Sequence, residues 1–284
     1  MRVTLAHREV RNPIPSRLMA RTDPAVRHTA EELSRPGPHA VARGDLAAAG
    51  IPGVVFTPRS GLGLPAVAFG HGWLQPTSRY EELLRHLATW GVVAAAPATQ
   101  RGALASHRQF ATDLRTVLDV CVGVRLGDGD ISVDHGKLGL VGHGMGGGCA
   151  VLAATSGTST GTSTDNKCRA VVTLAVAETL PSAVAAARGC TMPGLHLTGG
   201  KDLLAPAVGH AEPVARAWAG PVQLRTLPKA SHLGFTAGQH WSDLLLGSSP
   251  ESGTRRISRA LVTAFLLRHL TGATDYDALL AEPH

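Results

Sequence analysis

Three short stretches of this chain carry the residue types of acid–base and nucleophilic chemistry. The first is LVGHGMGGG, Leu140 to Gly148, entered by the apolar run KLGLV and left by the small-residue run CAVLAA. That pattern predicts a strand, a tight glycine turn and a helix. The second, LHLTGGKDLLAP, sets Asp202 just after an apolar run, and the third, LRTLPKASHLGF, sets His232 just after the next one. A carboxylate can hold an imidazole in one tautomer, and an imidazole so held serves as a general base. A serine at position 144 would make GHSMG, a nucleophile elbow, and would complete the order nucleophile, acid, base. The residue there is Gly144.

As written, Gly142, Gly144 and Gly147 satisfy G-x-G-x-x-G, the fingerprint of a dinucleotide loop. That fingerprint needs a first βαβ unit and an acidic residue about 20 positions on. Here the turn follows roughly the fifth strand, and the acid in range is Asp165, inside the polar stretch TSGTSTGTSTDNK rather than at a strand end. Both requirements fail, so the elbow is the better reading and no cofactor is expected. An elbow also needs two backbone N–H groups facing a developing oxyanion. One belongs to the next residue, Met145. The other belongs to the turn after an early strand, AVAFGHGWLQP, where Gly70 and Gly72 permit close approach and the N–H of Trp73 is nominated.

The elements that must position these groups are legible as eight apolar runs: HAVARGDL, GVVFT, PAVAF, GVVAAA, KLGLVG, RAVVTLA, PGLHLTG and PVQLRTL. The first are close together and the later ones alternate with helical patterns. RYEELLRHLATW places Leu83, Leu84, Leu87 and Trp90 on one stripe, and FATDLRTVLDVCVGVRL does so with Leu114, Val117, Leu118 and Cys121. Ile257, Leu261, Ala264, Phe265 and Arg268 mark a C-terminal helix. This predicts an α/β fold with a mostly parallel central sheet, an antiparallel start and helices on both faces. Residues 1–36 are rich in Arg and Pro with weak periodicity and read as a partly irregular extension; residues 37–284 read as one domain.

Composition narrows the partners. The 284 residues are 44% hydrophobic, enough for a sizeable core, and no stretch approaches the roughly 20 apolar residues of a membrane span. The opening MRVTLAHREVRNPIPSR has no apolar signal core, so a cytoplasmic protein is expected. Cys121, Cys149, Cys168 and Cys190 lack C-x-x-C spacing and read as reduced, buried thiols. The net charge is +6, but no run of five basic residues occurs and aromatics are 4%, which argues against nucleic-acid binding. Oligomeric state has no signature.

With these motifs in order, the chain resembles the bacterial cutinase and polyester-hydrolase branch of the α/β-hydrolases, near the dienelactone-hydrolase-like enzymes. The likeness runs from about residue 37 to 283. GPHAVARGDLAAAGIPGVVFTP is similar to the opening strands, and AFGHGW to the oxyanion strand, with Trp73 where a tyrosine is usual. GHGMGGG is similar to GHSMGGG, DLLAP to the acid motif, ASHLGF to the histidine motif, and LTGATDYDALLAEP to the last helix. The resemblance implies an α/β-hydrolase fold, catalytic His232 and Asp202, an oxyanion hole at Trp73 and Met145, and a vacant nucleophile position at Gly144. It also implies a cleft for a small apolar ester, lactone or acyl ligand, with Trp73, Leu74, Met145, Leu204 and Leu233 as its expected lining. The departures are Gly144 itself, Ala177 near the place of a substrate-clamping aromatic, an end before the C-terminal disulfide, and no signal peptide.

Glycine at an elbow relieves a backbone strain of about 1–3 kcal/mol and removes the covalent acyl-enzyme. Three accounts follow: His232 and Asp202 act on a water or a substrate proton; the protein binds a ligand without catalysis; or a serine was removed by mutation. No other residue is a good substitute nucleophile. Cys149 is expected in the core, and Ser231 adjoins His232 in sequence and cannot readily sit opposite its ring. His71 and His143 flank the expected pocket, but no paired metal-ligand spacing accompanies them, so no metal is expected. His143 reads as packing against the strand.

Overall fold

The structure, a computed structural model, describes residues 24–155 and 168–281. The first part of the expected N-terminal extension, most of the polar stretch with Asp165, and the last three residues lie outside the described residues.

Each apolar run forms a strand: β1 (Val41–Asp45), β2 (Gly53–Pro58), β3 (Gly61–Gly70), β4 (Val93–Pro97), β5 (Ile131–His143), β6 (Cys168–Leu174), β7 (Gly194–Gly199) and β8 (Val222–Leu227). They make one eight-stranded sheet in the order β1-β2-β4-β3-β5-β6-β7-β8. β2 pairs antiparallel with β1 and β4, and every other pairing is parallel. The parallel pairs need crossovers. Helices supply them: α2 (Glu81–Thr89), α3 (His107–Gly123), α4 (Met145–Thr155), α5 (Ala183–Ala187) and α6 (Ala211–Ala217). After β8 come α7 (Ser242–Leu245), α8 (Ser252–Leu266) and α9 (Asp277–Ala281); α1 (Pro24–Ser34) precedes β1.

Period-two alternation splits the strand residues between two cores. Val67 and Phe69 of β3 join Val141 of β5 beneath Leu84 and Leu87 of α2 and Leu261 and Phe265 of α8. Ala66 and Ala68 of β3 join Leu138 and Leu140 of β5 beneath Leu114 of α3, Val151 of α4 and Val214 of α6. Both faces are covered, which is why GVVAAA and AVVTLA read as continuous apolar runs rather than alternating ones.

Two readings of the helices change. Residues 24–34, inside the stretch of weak periodicity, form α1, whose Val26 and Leu33 are buried in the first core. On α8 the expected Leu261, Ala264 and Phe265 are buried, but Ile257 is 42% exposed and Ser258 takes its place on the buried stripe. Arg268 pairs with Asp277 at 2.8 Å, beyond the α-helical part. Among the described residues, no helix is long and apolar enough to cross a membrane.

The loops after β3, β5, β7 and β8 leave the same edge of the sheet, the carboxyl ends of its parallel strands, where open α/β sheets form clefts. Leu74, Gln100 and Ala175 have φ of 57°, 56° and 47° without being glycine, and they follow β3, β4 and β6 at this edge. Such backbones cost on the order of 1–3 kcal/mol each and concentrate at functional sites.

Candidate active site

β5 ends at His143 and α4 begins at Met145, leaving Gly144 as the single residue of the turn. Its φ is +53°, the left-handed region that glycine enters without penalty. The turn is fastened on both sides: Gly144 N–H donates to Leu174 O at 2.9 Å, and Gly144 O accepts from Gly147 N and Ala177 N, both at 3.0 Å. Gly142 and Gly146 answer a different demand. A Cβ on Gly142 would collide with the Gly146 backbone, and one on Gly146 with the Gly70 backbone. These glycines let α4 pack closely on β5 and β3, with no nucleotide phosphate required.

Asp202 and His232 meet across the loops after β7 and β8. His232 Nδ1 lies 2.8 Å from Asp202 Oδ2, while Asp202 Oδ1 accepts the N–H groups of Leu204 at 2.9 Å and Ala205 at 2.8 Å. Burial pushes the Asp202 carboxyl up. The hydrogen bond and charge of His232, with the two N–H donors, outweigh that and hold it below the ordinary carboxylate range. An ionised Asp202 can only accept, so Nδ1 of His232 carries a proton, and in the neutral ring Nε2 is the acceptor. Nε2 points over Gly144: a Cβ built on that residue would lie 3.0 Å from Nε2 and 3.8 Å from Gly72 Cα.

A buried hydrogen-bond chain ties His232 to the opposite wall. His143 Nε2 lies 2.9 Å from the His232 carbonyl, which can only accept, so Nε2 donates and Nδ1 is left as an acceptor. Tyr80 Oη, 2.8 Å from Nδ1, therefore donates to it, and accepts the Gly72 N–H at 3.0 Å. Burial, then the nearby His232, push His143 down to about 3, which keeps it neutral in this role. His143 is thus a brace between the loops as well as a packed side chain. His71 turns away, its ring nitrogens 2.9 and 2.7 Å from the carbonyls of Gly72 and Thr99. Among the described residues, no group of three or more His, Cys, Asp or Glu could hold a metal ion.

The cleft measures about 210 Å³ and is lined by Gly72, Trp73, Gln75, His143, Met145, Ala177, Leu204, Ala205, His232, Leu233 and Leu246. Four of the five expected lining residues are there. Leu74 is not, because its left-handed backbone sits where the chain turns away after Trp73. Met145 is the first residue of α4, so its N–H has no intrahelical acceptor. No backbone acceptor engages the Trp73 N–H among the described residues. Trp73 stands 40% exposed at the mouth, with its indole N–H on Ala103 O at 3.1 Å. Leu233 is fully buried at the base beside the histidine.

Gln75, Arg79 and Leu246 have no counterpart in the sequence reading. Arg79, 4% exposed, donates to Gln75 Oε1 at 2.7 Å, Asp243 Oδ1 at 2.6 Å and the carbonyls of Ala237 and Gly238 at 3.1 Å. Gln75 in turn donates to Ser242 Oγ at 2.9 Å. This network clamps α7 and its neighbour Leu246 over one side of the cleft. Behind His232, Glu251 accepts the N–H and hydroxyl of Ser231 at 3.0 and 2.6 Å, so Ser231 faces away from the ring. Cys149 is buried in the second core, its thiol pushed up to about 12 by burial, and offers no thiolate to the cleft.

Compared with known proteins, the chain matches no family model and no curated relative.

Proposed function

We propose that this protein is an α/β-hydrolase-fold enzyme that hydrolyses a small apolar ester, lactone or other acyl compound without a covalent intermediate. The observation that carries the reading is the aim of His232 Nε2 at the space over Gly144, with Asp202 on its other nitrogen. A water in that space gives its proton to Nε2 as its oxygen attacks the acyl carbon. The developing oxyanion is met by the Trp73 and Met145 N–H groups, and the protonated ring then returns the proton to the leaving oxygen. Asp202 holds the tautomer and balances the imidazolium charge. The chemistry needs no cofactor.

The cleft supports the substrate class. An apolar cavity of about 150 Å³ takes up benzene, so a space of about 210 Å³ suits a short acyl chain or a single ring. The test is turnover of short aryl esters and lactones by the protein and by His232→Ala. General-base catalysis is typically worth about 10²–10⁴ in rate, and His232→Ala should lose that factor in kcat with little change in KM. Unchanged turnover in the variant would sink the mechanism. Saturable binding of acyl ligands with no turnover on any of them would make the protein a ligand-binding relative of such enzymes instead.

A further inference from the structure

We infer that the rim of the cleft docks on the surface of an anionic lipid bilayer, which presents acyl compounds to the site from one side and is not crossed. The inference goes beyond the functional reading above and rests on it only for the choice of lipid over protein. Leu104, Leu180, Leu203 and Leu244 are 99%, 83%, 90% and 91% exposed, and they come from four separate segments, after β4, β6, β7 and β8. Trp73 after β3 and Trp241 beside α7 are 40% and 59% exposed. All of these segments belong to the carboxyl edge of the sheet, where the cleft opens. Elsewhere among the described residues, Leu62 is the one large apolar side chain more than half exposed, and it lies at the opposite end of β3. Apolar side chains gathered on one exposed face mark an interaction surface.

Hydrogen bonds fasten these segments into a ring around the mouth. The Trp73 indole N–H donates to Ala103 O at 3.1 Å, joining the segment after β3 to that after β4. The Leu180 N–H donates to His107 Nδ1 and the Glu178 N–H to His210 Nδ1, both at 2.9 Å, which joins the segment after β6 to the start of α3 and to the segment after β7. Asp202 and His232 carry the ring on to the segment after β8. Gln75 and Arg79 close it by holding α7 against the segment after β3. Charge selects the occupant. Arg101, Lys201 and Lys229 on this ring are exposed, and so is Arg108 in the first turn of α3. The acids of the same segments are engaged within the protein: Glu178 accepts the Val184 N–H at 3.3 Å, Asp202 is bonded to His232, Asp243 to Arg79 and Glu251 to Ser231. Exposed leucine and tryptophan interspersed with exposed cations match an anionic bilayer, the leucines entering the acyl layer and the cations meeting lipid phosphate. A rigid protein resting on leucines that encircle an opening would seal the cleft. A fluid lipid surface conforms to separate points and leaves its acyl compounds free to enter.

The test is flotation of the full chain with vesicles of phosphatidylglycerol and phosphatidylcholine in equal parts, against vesicles of phosphatidylcholine alone, with tryptophan fluorescence as a second readout. The mixed vesicles should bind at least about tenfold more tightly, and added salt should shrink that preference. Burying one leucine is worth about tenfold or more in partitioning. Leu104→Ser, Leu180→Ser, Leu203→Ser and Leu244→Ser combined should therefore weaken binding at least about hundredfold, in a variant whose circular dichroism and melting match the parent because these side chains touch little of the protein. Arg101→Gln, Lys201→Gln and Lys229→Gln combined should reduce the preference for mixed vesicles. Absence of binding, equal binding to both vesicles, undiminished binding by the folded leucine variant, or an unaltered preference in the cation variant would overturn the inference. So would a dimer in sedimentation velocity that the leucine variant dissolves with no vesicle binding by the parent, which would give the rim to a second copy. Vesicle binding by a protein with no turnover of soluble aryl esters would uphold the inference while removing the hydrolytic reading. Turnover without vesicle binding would do the reverse.

Discussion

Gly144→Ser is the perturbation that reads most of the site at once. It adds a Cβ at a residue whose φ is +53°, a strain of about 1–3 kcal/mol for a side-chain-bearing residue. The added carbon would stand 3.0 Å from His232 Nε2, so the ring must retreat by a few tenths of an ångström. That retreat is resisted by the bonds on the two sides of His232, the 2.8 Å contact to Asp202 and the 2.9 Å bond from His143 to its carbonyl. Since 1 kcal/mol moves the melting temperature of a domain of this size by about 2–4 °C, the variant should melt roughly 2–12 °C lower. The gain is a hydroxyl within reach of Nε2. Loss of a single triad member is worth about 10⁴–10⁶ in rate, of which binding and the oxyanion hole leave part in place. A gain of at least about 10² in kcat on 4-nitrophenyl acetate is therefore expected, with an acylated serine visible by mass spectrometry after rapid quenching. A variant that melts within the expected window but shows neither acylation nor faster turnover would refute the claim that Asp202 and His232 stand in working geometry.

Two further outcomes follow from the surrounding structure. Asp202 is held below its ordinary value, so its contribution to stability is complete above the unfolded carboxylate value of about 3.9 and is lost as pH falls through the folded one. Urea unfolding should show Asp202→Asn destabilised at neutral pH, with the gap to the parent protein closing in acid; a gap that stays constant to pH 3 would contradict this. Arg79→Met leaves Asp243 without its cation and the carbonyls of Ala237 and Gly238 without their donor, and breaking such a buried pair typically costs about 3–5 kcal/mol. Hydrogen exchange should quicken in residues 237–246 more than in β5 or β7; uniform protection would show that the clamp is not what holds α7.

What was legible in the sequence was local. Each strand is an apolar run, and Gly144, Asp202 and His232 each lie within a few residues of a strand's carboxyl end, so placing the strands placed them. Leu74 lies outside the cleft lining because two residues beside each other in a loop can face opposite ways, and its φ of 57° marks the bend after Trp73. Arg79 and Gln75 left no trace because their partners, Asp243 and Ser242, are more than 160 residues away in the chain. A buried guanidinium has no periodicity to betray it. Helix α1 was obscured for a similar reason: with only Val26 and Leu33 buried, it owes its place to the neighbouring core rather than to a strong stripe of its own.

The turn at Gly144 is held by backbone bonds to Leu174, Gly147 and Ala177, none of which consults the side chain. The fold is therefore indifferent to whether a nucleophile is present, and the position of His232 is what carries information. Its ring stands 3.0 Å from where a Cβ on residue 144 would be, so a side chain there requires the ring to give by only a few tenths of an ångström. Hydrolysis needs Nε2 as a lone pair aimed over Gly144, and it is the bond from Nδ1 to Asp202, not the residue at the turn, that keeps the lone pair there.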